Sequence, residues 1–305
     1  MTRIPLLASY FTFAGNTVPL RDTGPCPFDF RARVEAAAKA GFTAFGLFFA
    51  DLPAVIDRYG YPGMRAILAD NGMTRLELEA LIDWFADGDR GAAAAESRML
   101  LLRSAEALGA YHIKAAGDLS GGWPVERMTE SFAKLCDEAA SGGSRISIEI
   151  IAFSNIASLE RALTIVKGAG RVNGGLMLDI WHMVRGGIDF SEVAALPGNL
   201  IFGVELNDAA KSPVGTLFED TIFHRQFCGE GDFDIPAFVA AVSATGYAGP
   251  YGIEVLSDKV RGMPLDVVAE TAFRTTAQFL ARQRSDVSAD GRRVGTYRKE
   301  SVLPR

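Results

Sequence analysis

Several features that mark other protein classes are missing from this chain of 305 residues. No apolar run reaches the 18 or more residues that a membrane-spanning helix needs, so no membrane segment is predicted. The three cysteines, Cys26, Cys136 and Cys228, form no CxxC pair, which favours a reducing, cytoplasmic compartment over a disulfide-rich secreted one. The apolar run near the N-terminus is interrupted by polar residues, and we interpret it as a first β-strand rather than a signal peptide.

The chain also lacks an excess of positive charge and a phosphate-binding motif. Lys and Arg together number 31 against 37 Asp and Glu, which gives a net charge of −6. A surface of this sign repels a phosphate backbone, so nucleic acid is not expected as a partner. Neither GxGxxG nor GxxxxGK[ST] follows the first predicted strand, which argues against a nucleotide-binding open sheet.

A repeated order of segments is present instead. A stretch with helical periodicity ends at a glycine, a short β-branched or aromatic run follows, and a polar residue closes that run. Glycine suits the left-handed position after a helix, and the nearly continuous apolar runs are typical of parallel strands covered on both faces. Apolar residues make up 49% of the chain, which is enough for a large buried core.

This order predicts eight strands that alternate with eight helices. The strands are expected at 6–12, 42–49, 74–83, 110–118, 146–150, 176–180, 200–208 and 251–258. The first helix should start at Asp29, and the others near 60–71, 91–108, 126–140, 157–168, 189–195, 234–245 and 264–282.

The alternation predicts an α/β fold, a (β/α)8 TIM barrel, as a single domain over residues 1–284. A doubly wound open sheet is the alternative. Residues 285–305 are polar, and we interpret them as a tail that is flexible or docks on a partner subunit, so a homo-oligomer is possible.

The last four predicted strands each end in an acid. The four are Glu149, Asp179, Glu205 and Glu254. The carboxyl ends of barrel strands meet at one rim, and no basic residue recurs at a matching strand position to neutralise these acids. A divalent cation would offset the charge, and all-oxygen ligation favours Mn²⁺ or Mg²⁺, with Co²⁺ or Zn²⁺ as alternatives.

Four further residues are candidates for substrate binding. His182 follows Asp179 by three residues and should point into the mouth of the barrel. Arg225, in the long loop before the helix at residue 234, could fix a substrate oxygen or remain a solvated charge. Lys114 points to the mouth if the register is right, but it could instead form a salt bridge with one of the acids. Trp123 could wall the pocket or serve only in packing.

These residues, together with the segment GEGDFDIPAFVAAVSATGYAGPYGIEVLSD, resemble the xylose-isomerase-like TIM barrel superfamily, whose members are often called sugar phosphate isomerases/epimerases. The resemblance covers roughly residues 5–282. It implies one Mn²⁺-type ion held by the last four strands, and proton transfer by Glu149 and Glu254 on opposite faces of the substrate. It also implies that His182 contacts a substrate hydroxyl and that Arg225 binds substrate.

The chain departs from this family at one position, because the third ligand there is usually histidine or glutamine and Glu205 takes its place. Glu205 is therefore either a ligand or a base. The first hypothesis is a divalent-metal-dependent isomerase or epimerase of a sugar, keto-sugar or related polyol, acting through a metal-stabilised enediolate and proton transfer by carboxylates. The second is a metal-dependent lyase of the inosose-dehydratase or dehydroshikimate-dehydratase type, and the third is a non-catalytic binding or subunit barrel.

Overall fold

The chain forms a closed barrel of eight parallel strands. The computed structural model describes residues 5–19, 21 and 24–293, with side chains up to residue 281. The strands join in chain order from β1 to β8, and β8 pairs with β1. They are β1 Leu6–Ala8, β2 Ala44–Phe48, β3 Arg75–Leu81, β4 His112–Ala115, β5 Arg145–Glu149, β6 Gly174–Asp179, β7 Ile201–Leu206 and β8 Tyr251–Ile253. The predicted TIM barrel is therefore confirmed.

Eleven α-helices of the described residues surround or cap this barrel. They are α1 Phe30–Ala40, α2 Leu52–Asp70, α3 Gly88–Leu108, α4 Val125–Ala140, α5 Leu159–Ala169, α6 Ile180–Arg185, α7 Phe190–Ala194, α8 Leu217–Phe223, α9 Ile235–Ala244, α10 Asp258–Arg261 and α11 Leu265–Arg293. None of the helices in the described part of the chain is long and apolar enough to cross a membrane.

The residues that cap the helices lie where the sequence predicts that helices begin and end. The Asp29 carboxylate accepts a hydrogen bond from the Ala32 amide and caps α1, which ends at Gly41 with a φ of 112°. Gly109 and Gly170 end α3 and α5 in the same left-handed region. A residue with a side chain is strained there, so these glycines let each helix turn back into the next strand.

The second helix begins earlier than the expected position near residue 60. It begins at Leu52, and Gly60, with a φ of 60°, interrupts its helical geometry two residues before Pro62. The Gly-Tyr-Pro sequence breaks the periodicity that would have revealed the first two turns. The short helices α6, α8 and α10 are absent from the predicted set, because segments of four to seven residues carry little periodicity. The five-residue α7 is the exception, since it lies where a helix was predicted near 189–195.

The Thr12 side chain links the segment that follows β1 to the end of β8. Its hydroxyl donates to the Ile253 carbonyl oxygen at 2.7 Å and accepts from the Val255 amide at 2.7 Å. The loop after the first strand is thereby fixed to the last strand.

The final helix extends into the segment that was predicted to be a polar tail. It runs to Arg293, so it includes the first residues of 285–305. Residues 294–305 lie outside the described residues.

Gly175, in β6, offers a test of how tightly the strands and their connections pack. A Cβ atom at this position would lie 2.6 Å from the Leu200 carbonyl oxygen and 2.6 Å from the Phe202 ring. We expect Gly175→Ala to destabilise the fold by about 1–3 kcal/mol in urea unfolding, because the backbone oxygen cannot move aside cheaply. Gly24→Ala is the matched control, since a Cβ there meets nothing within 4 Å, and an equal loss in both variants would contradict the prediction.

Candidate active site

Four carboxylates meet at the carboxyl end of the barrel. Glu149 ends β5, Asp179 ends β6, Glu205 lies in β7 and Glu254 directly follows β8. One oxygen atom from each of the four lies within 4.8 Å of the others. Glu149 keeps 12% of its side chain exposed, whereas the other three are buried. The predicted convergence of the four acids is therefore confirmed.

Hydrogen bonds and an ion pair hold both oxygens of Asp179. Its Oδ1 accepts from the Trp181 amide at 2.8 Å and from Asn207 Nδ2 at 2.9 Å. Its Oδ2 accepts from Arg225 Nη1 at 2.6 Å. Burial opposes ionisation, but the Arg225 charge, His182 and these hydrogen bonds outweigh it and hold the pKa of Asp179 below its usual value.

Glu205 is held at one oxygen and left without a partner at the other. Its Oε1 accepts from Ser9 Oγ at 2.7 Å and from Lys114 Nζ at 2.6 Å, while its buried Oε2 has no hydrogen-bond partner among the described residues. Gly252 makes room for it, because a Cβ there would lie 2.8 Å from Glu205 Cγ. Burial, and then the charge of Glu254, raises the pKa of Glu205 well above its usual value.

Two basic side chains offset part of the charge of these acids, and the salt bridge with one of the acids that the sequence offered as an alternative role for Lys114 is present. Lys114 Nζ lies 2.6 Å from Glu205 Oε1 and 3.6 Å from Glu254 Oε1. Arg225 contacts two of the four as well. Matching strand positions could not reveal either partner, because Lys114 reaches across the barrel interior from β4 and Arg225 comes from a loop.

A second group of titratable side chains lies around the Lys114 ammonium. Nζ is 3.1 Å from Glu77 Oε1 and 3.0 Å from Glu79 Oε2. His112 places Nε2 2.8 Å from Glu77 Oε2. Glu77 and Glu79 were not predicted as site residues, although their alternation in LELEAL places both on one face of β3.

Arg225 is a buried residue whose guanidinium contacts two of the four acids. Its Nη1 donates to Asp179 Oδ2 at 2.6 Å and to Glu254 Oε2 at 3.1 Å, and Thr221 Oγ1 accepts from Nη2 at 2.8 Å. Its guanidinium also lies 5.4 Å from the centre of the Trp181 ring. The solvated loop charge considered from the sequence is therefore excluded, while a contact with substrate stays a prediction.

His182 lies beside the acids and is neutral. Its Nε2 is 3.7 Å from Glu149 Oε1, and Arg225 Nη2 is 3.5 Å from the same nitrogen. The Ala152 amide approaches Nδ1 at 3.4 Å. Burial lowers the pKa of His182 to about 3, and Arg225 acts in the same direction against Asp179. A neutral imidazole can accept or donate a hydrogen bond to a hydroxyl group.

Glu149 differs from Glu254 in how firmly it is held. Both oxygens of Glu254 lie near cations, at 3.1 Å from Arg225 Nη1 and 3.6 Å from Lys114 Nζ. Glu149 has a longer contact instead, between its Oε1 and His182 Nε2 at 3.7 Å. Burial, with the charges of Glu254 and Asp179 adding to it, raises the pKa of Glu149 to about 7.

The residues of this site have the composition that suits a hard divalent cation. The acids Glu77, Glu79, Glu149, Asp179, Glu205 and Glu254 outnumber the two cations, Lys114 and Arg225, which leaves four negative charges if every acid is ionised. Carboxylate oxygens are the donors that Mg²⁺ and Mn²⁺ prefer. A second donor group, Glu149, Asp179 and His182, shares two residues with the first and adds a nitrogen.

Trp123 lies to one side of the four acids. Its indole Nε1 donates to Asp118 Oδ2 at 2.6 Å, and it lines a cavity of about 610 Å³ with Phe153 and Arg161. The Phe153 ring lies 6.0 Å from the His182 ring, so this cavity adjoins the site.

The comparison with protein families agrees with this fold. Residues 34–283 match the family model of xylose isomerase-like TIM barrels. The match covers most of the barrel and includes all four acids. The chain therefore belongs to the xylose isomerase-like TIM barrel family.

Curated relatives of this chain are enzymes. It is 30% identical over 276 residues to a 3-dehydroshikimate dehydratase of Pseudomonas aeruginosa, which covers 85% of this chain and 42% of that protein. It is 24% identical over 153 residues to an inosose isomerase of Bacillus subtilis, covering 50% of this chain and 54% of the relative. The chain thus spans about half the length of these relatives or less.

A solved structure of the IOLI protein with a bound zinc atom has the same fold. It superposes with a TM-score of 0.78 at 20% identity and covers 92% of this chain and 99% of its own. At this identity the likeness extends to the fold alone.

Asp118 organises the loop that carries Trp123, and its replacement should loosen that loop. Its Oδ1 accepts from Ser120, and its Oδ2 accepts from Trp123 Nε1 and from Arg90 at 3.1 Å. Asp118→Asn turns one acceptor into a donor that faces two N–H groups. We expect a loss of about 2 kcal/mol in urea unfolding.

The matched control for this variant is Asp87→Asn. Asp87 forms an ion pair with Arg127 while 69% of its side chain is exposed, so its loss should be below about 1 kcal/mol. Equal losses at the two positions would contradict an organising role for Asp118.

Proposed function

We propose that this chain is a divalent-metal-dependent enzyme that removes a proton next to a carbonyl group of a polyhydroxylated small molecule. The observation that supports it is that Glu149, Asp179, Glu205 and Glu254 meet below the surface, where Glu205 Oε2 has no hydrogen-bond partner among the described residues. Unpaired buried charge costs several kcal/mol, and the two permanent cations offset only part of it. If every acid is ionised, a bound divalent cation would offset two of the four negative charges that remain.

The proposed cation is held by the four acids at the ends of the last four strands. When bound, it stabilises the negative charge that develops on the substrate carbonyl oxygen. The oxygen-only donor set favours Mn²⁺ or Mg²⁺. Zn²⁺ or Co²⁺ is the alternative, since His182 shares a donor group with Glu149 and Asp179, and the IOLI protein of similar fold has a bound zinc atom.

Glu149 is the proposed base. It is the most exposed of the four acids, and its carboxylate is the least occupied by donors, so it can approach a C–H group of the substrate. General-base catalysis requires this access and typically contributes about 10²–10⁴-fold to a rate.

Glu254 is the proposed second proton-transfer group. Arg225 and Lys114 fix its orientation from two sides. If Glu254 is protonated and donates its own proton to the opposite face of the carbon that Glu149 deprotonated, the product is an epimer. If a proton is delivered to the neighbouring carbon instead, the product is an aldose–ketose isomer.

The remaining candidates would bind and orient the substrate. Neutral His182, next to Glu149, is suited to hold a hydroxyl group. Arg225 would bind a substrate oxygen while it remains paired with Asp179. Trp123 would wall the neighbouring cavity with Phe153.

Dehydration is the second candidate reaction. It begins with the same proton removal but ends with the loss of a β-hydroxyl group as water. The 30% identity to a 3-dehydroshikimate dehydratase over 85% of this chain favours it. Dehydroshikimate and inososes are both six-membered hydroxyketones, so a cyclic hydroxyketone is the substrate class that we propose first.

The proposal is tested by metal analysis and by incubation in D₂O with dehydroshikimate, inososes and ketohexoses. We expect about one divalent ion per chain and deuterium incorporation at one C–H position of a substrate, both abolished by a chelator and restored by Mn²⁺. A conjugated product identifies dehydration, whereas unchanged mass apart from deuterium identifies epimerisation or isomerisation. No bound metal and no exchange with any of these compounds would refute the proposal.

Replacing Glu254 separates proton transfer from folding. We expect Glu254→Gln to lower kcat by at least about 100-fold, because the amide cannot transfer the proton, with the fold retained. Glu230→Gln is the control, since Glu230 is 36% exposed and pairs with Lys259, and it should keep its activity. Full activity in Glu254→Gln would remove Glu254 from the mechanism.

A further inference from the structure

Lys114 is the buried lysine of the described residues, and acids surround its ammonium. Its side chain is 1% exposed, and its ammonium faces four carboxylates, those of Glu77, Glu79, Glu205 and Glu254, at 2.6–3.6 Å. Two of the three N–H donors of the ammonium are hydrogen-bonded to acids, to Glu79 Oε2 at 3.0 Å and to Glu205 Oε1 at 2.6 Å. A substrate oxygen at Nζ would have to compete with these acids.

The two buried cations hold different members of the four-acid site. Arg225 Nη1 binds Asp179 and Glu254, whereas Lys114 Nζ binds Glu205 and approaches Glu254. Glu205 therefore depends on Lys114 and on the neutral Ser9 hydroxyl alone. Lys114 is the one charged side chain of the described residues that fixes Glu205.

Repulsion would separate the acids if this ammonium were absent. Two unit charges about 4 Å apart repel strongly even at the effective dielectric near a protein surface, and these carboxylates are buried. Glu205 and Glu254 share the Lys114 ammonium, which attracts both to one point. The free Oε2 of Glu205 then stays available while Oε1 is held.

We propose that Lys114 is a positioning residue that holds the acids of the cation site together in the metal-free protein. Its ammonium offsets part of the repulsion between Glu205 and Glu254, which is the repulsion that a bound divalent cation would also offset. The inference rests on the proposed function. It replaces direct substrate binding, which was one of the two roles considered for this lysine.

The proposal predicts a particular link between Lys114 and metal binding. Lys114→Met leaves a cluster of acids without its internal cation, so the metal-free variant should melt about 10 °C below the parent protein. An added divalent cation then offsets more repulsion in the variant than in the parent. The rise in Tm caused by MnCl₂ should therefore be larger in Lys114→Met.

Thermal melts of the full chain, in chelator and in saturating MnCl₂, test this. Lys259→Met is the matched control, because Lys259 is 68% exposed and pairs with Glu230 at the surface, and its melts should equal those of the parent. A loss of Tm in Lys114→Met that Mn²⁺ does not reduce would overturn the proposal, because a lysine that serves only in packing would give that result.

A double variant keeps the proposal testable if Lys114→Met does not fold. Lys114→Met/Glu205→Gln removes both charges of the closest ion pair, and it should recover much of the lost Tm in chelator. No recovery would show that the Lys114–Glu205 pair is not what the single variant lost, and would overturn the proposal.

The failure of this inference is distinguishable from that of the proposed function. If MnCl₂ stabilises the parent protein but stabilises Lys114→Met no more, the cation site stands and the role of Lys114 is wrong. If MnCl₂ has no effect on the parent protein, both are wrong.

Discussion

The charges of several buried carboxylates must be offset at the mouth of this barrel, and this requirement determines how its residues pair. An unpaired buried charge costs several kcal/mol, so each acid has to find donors or give up its charge. Asp179 meets this requirement with a backbone amide, the Asn207 amide and Arg225. Glu205 meets it only in part, through Ser9 and Lys114. That incomplete compensation is the physical ground for the cation that we propose at this site.

Much of the architecture and the main residues of the site can be predicted from the sequence. Glycines such as Gly41 and Gly109 end helices where the chain turns into apolar strands, and eight such repeats suit a closed parallel barrel. Parallel strands bring their carboxyl ends to one rim, so acids that end successive strands must meet. Asp179 and Glu205, which pair across neighbouring strands, show this directly.

Other parts of the site depend on tertiary contacts that no local pattern carries. Lys114 reaches across the barrel to Glu205, 91 positions further along the chain, and Arg225 reaches back 46 positions to Asp179. The pairing of long side chains is decided by their reach and by which acids lie nearest. The alternation of Glu77 and Glu79 was visible, but only the closed barrel shows that this face points inward to Lys114.

The two hydrogen bonds of the Thr12 hydroxyl have a consequence for how the chain folds. Thr12 fixes the segment after the first strand to the last strand, and Ser9, three residues earlier, completes the partners of Glu205. Neither half of the chain can build this site alone, because its donors come from both ends. An ion that requires the assembled site would bind only after the ring of strands has closed, so it would favour the completed barrel over every open intermediate.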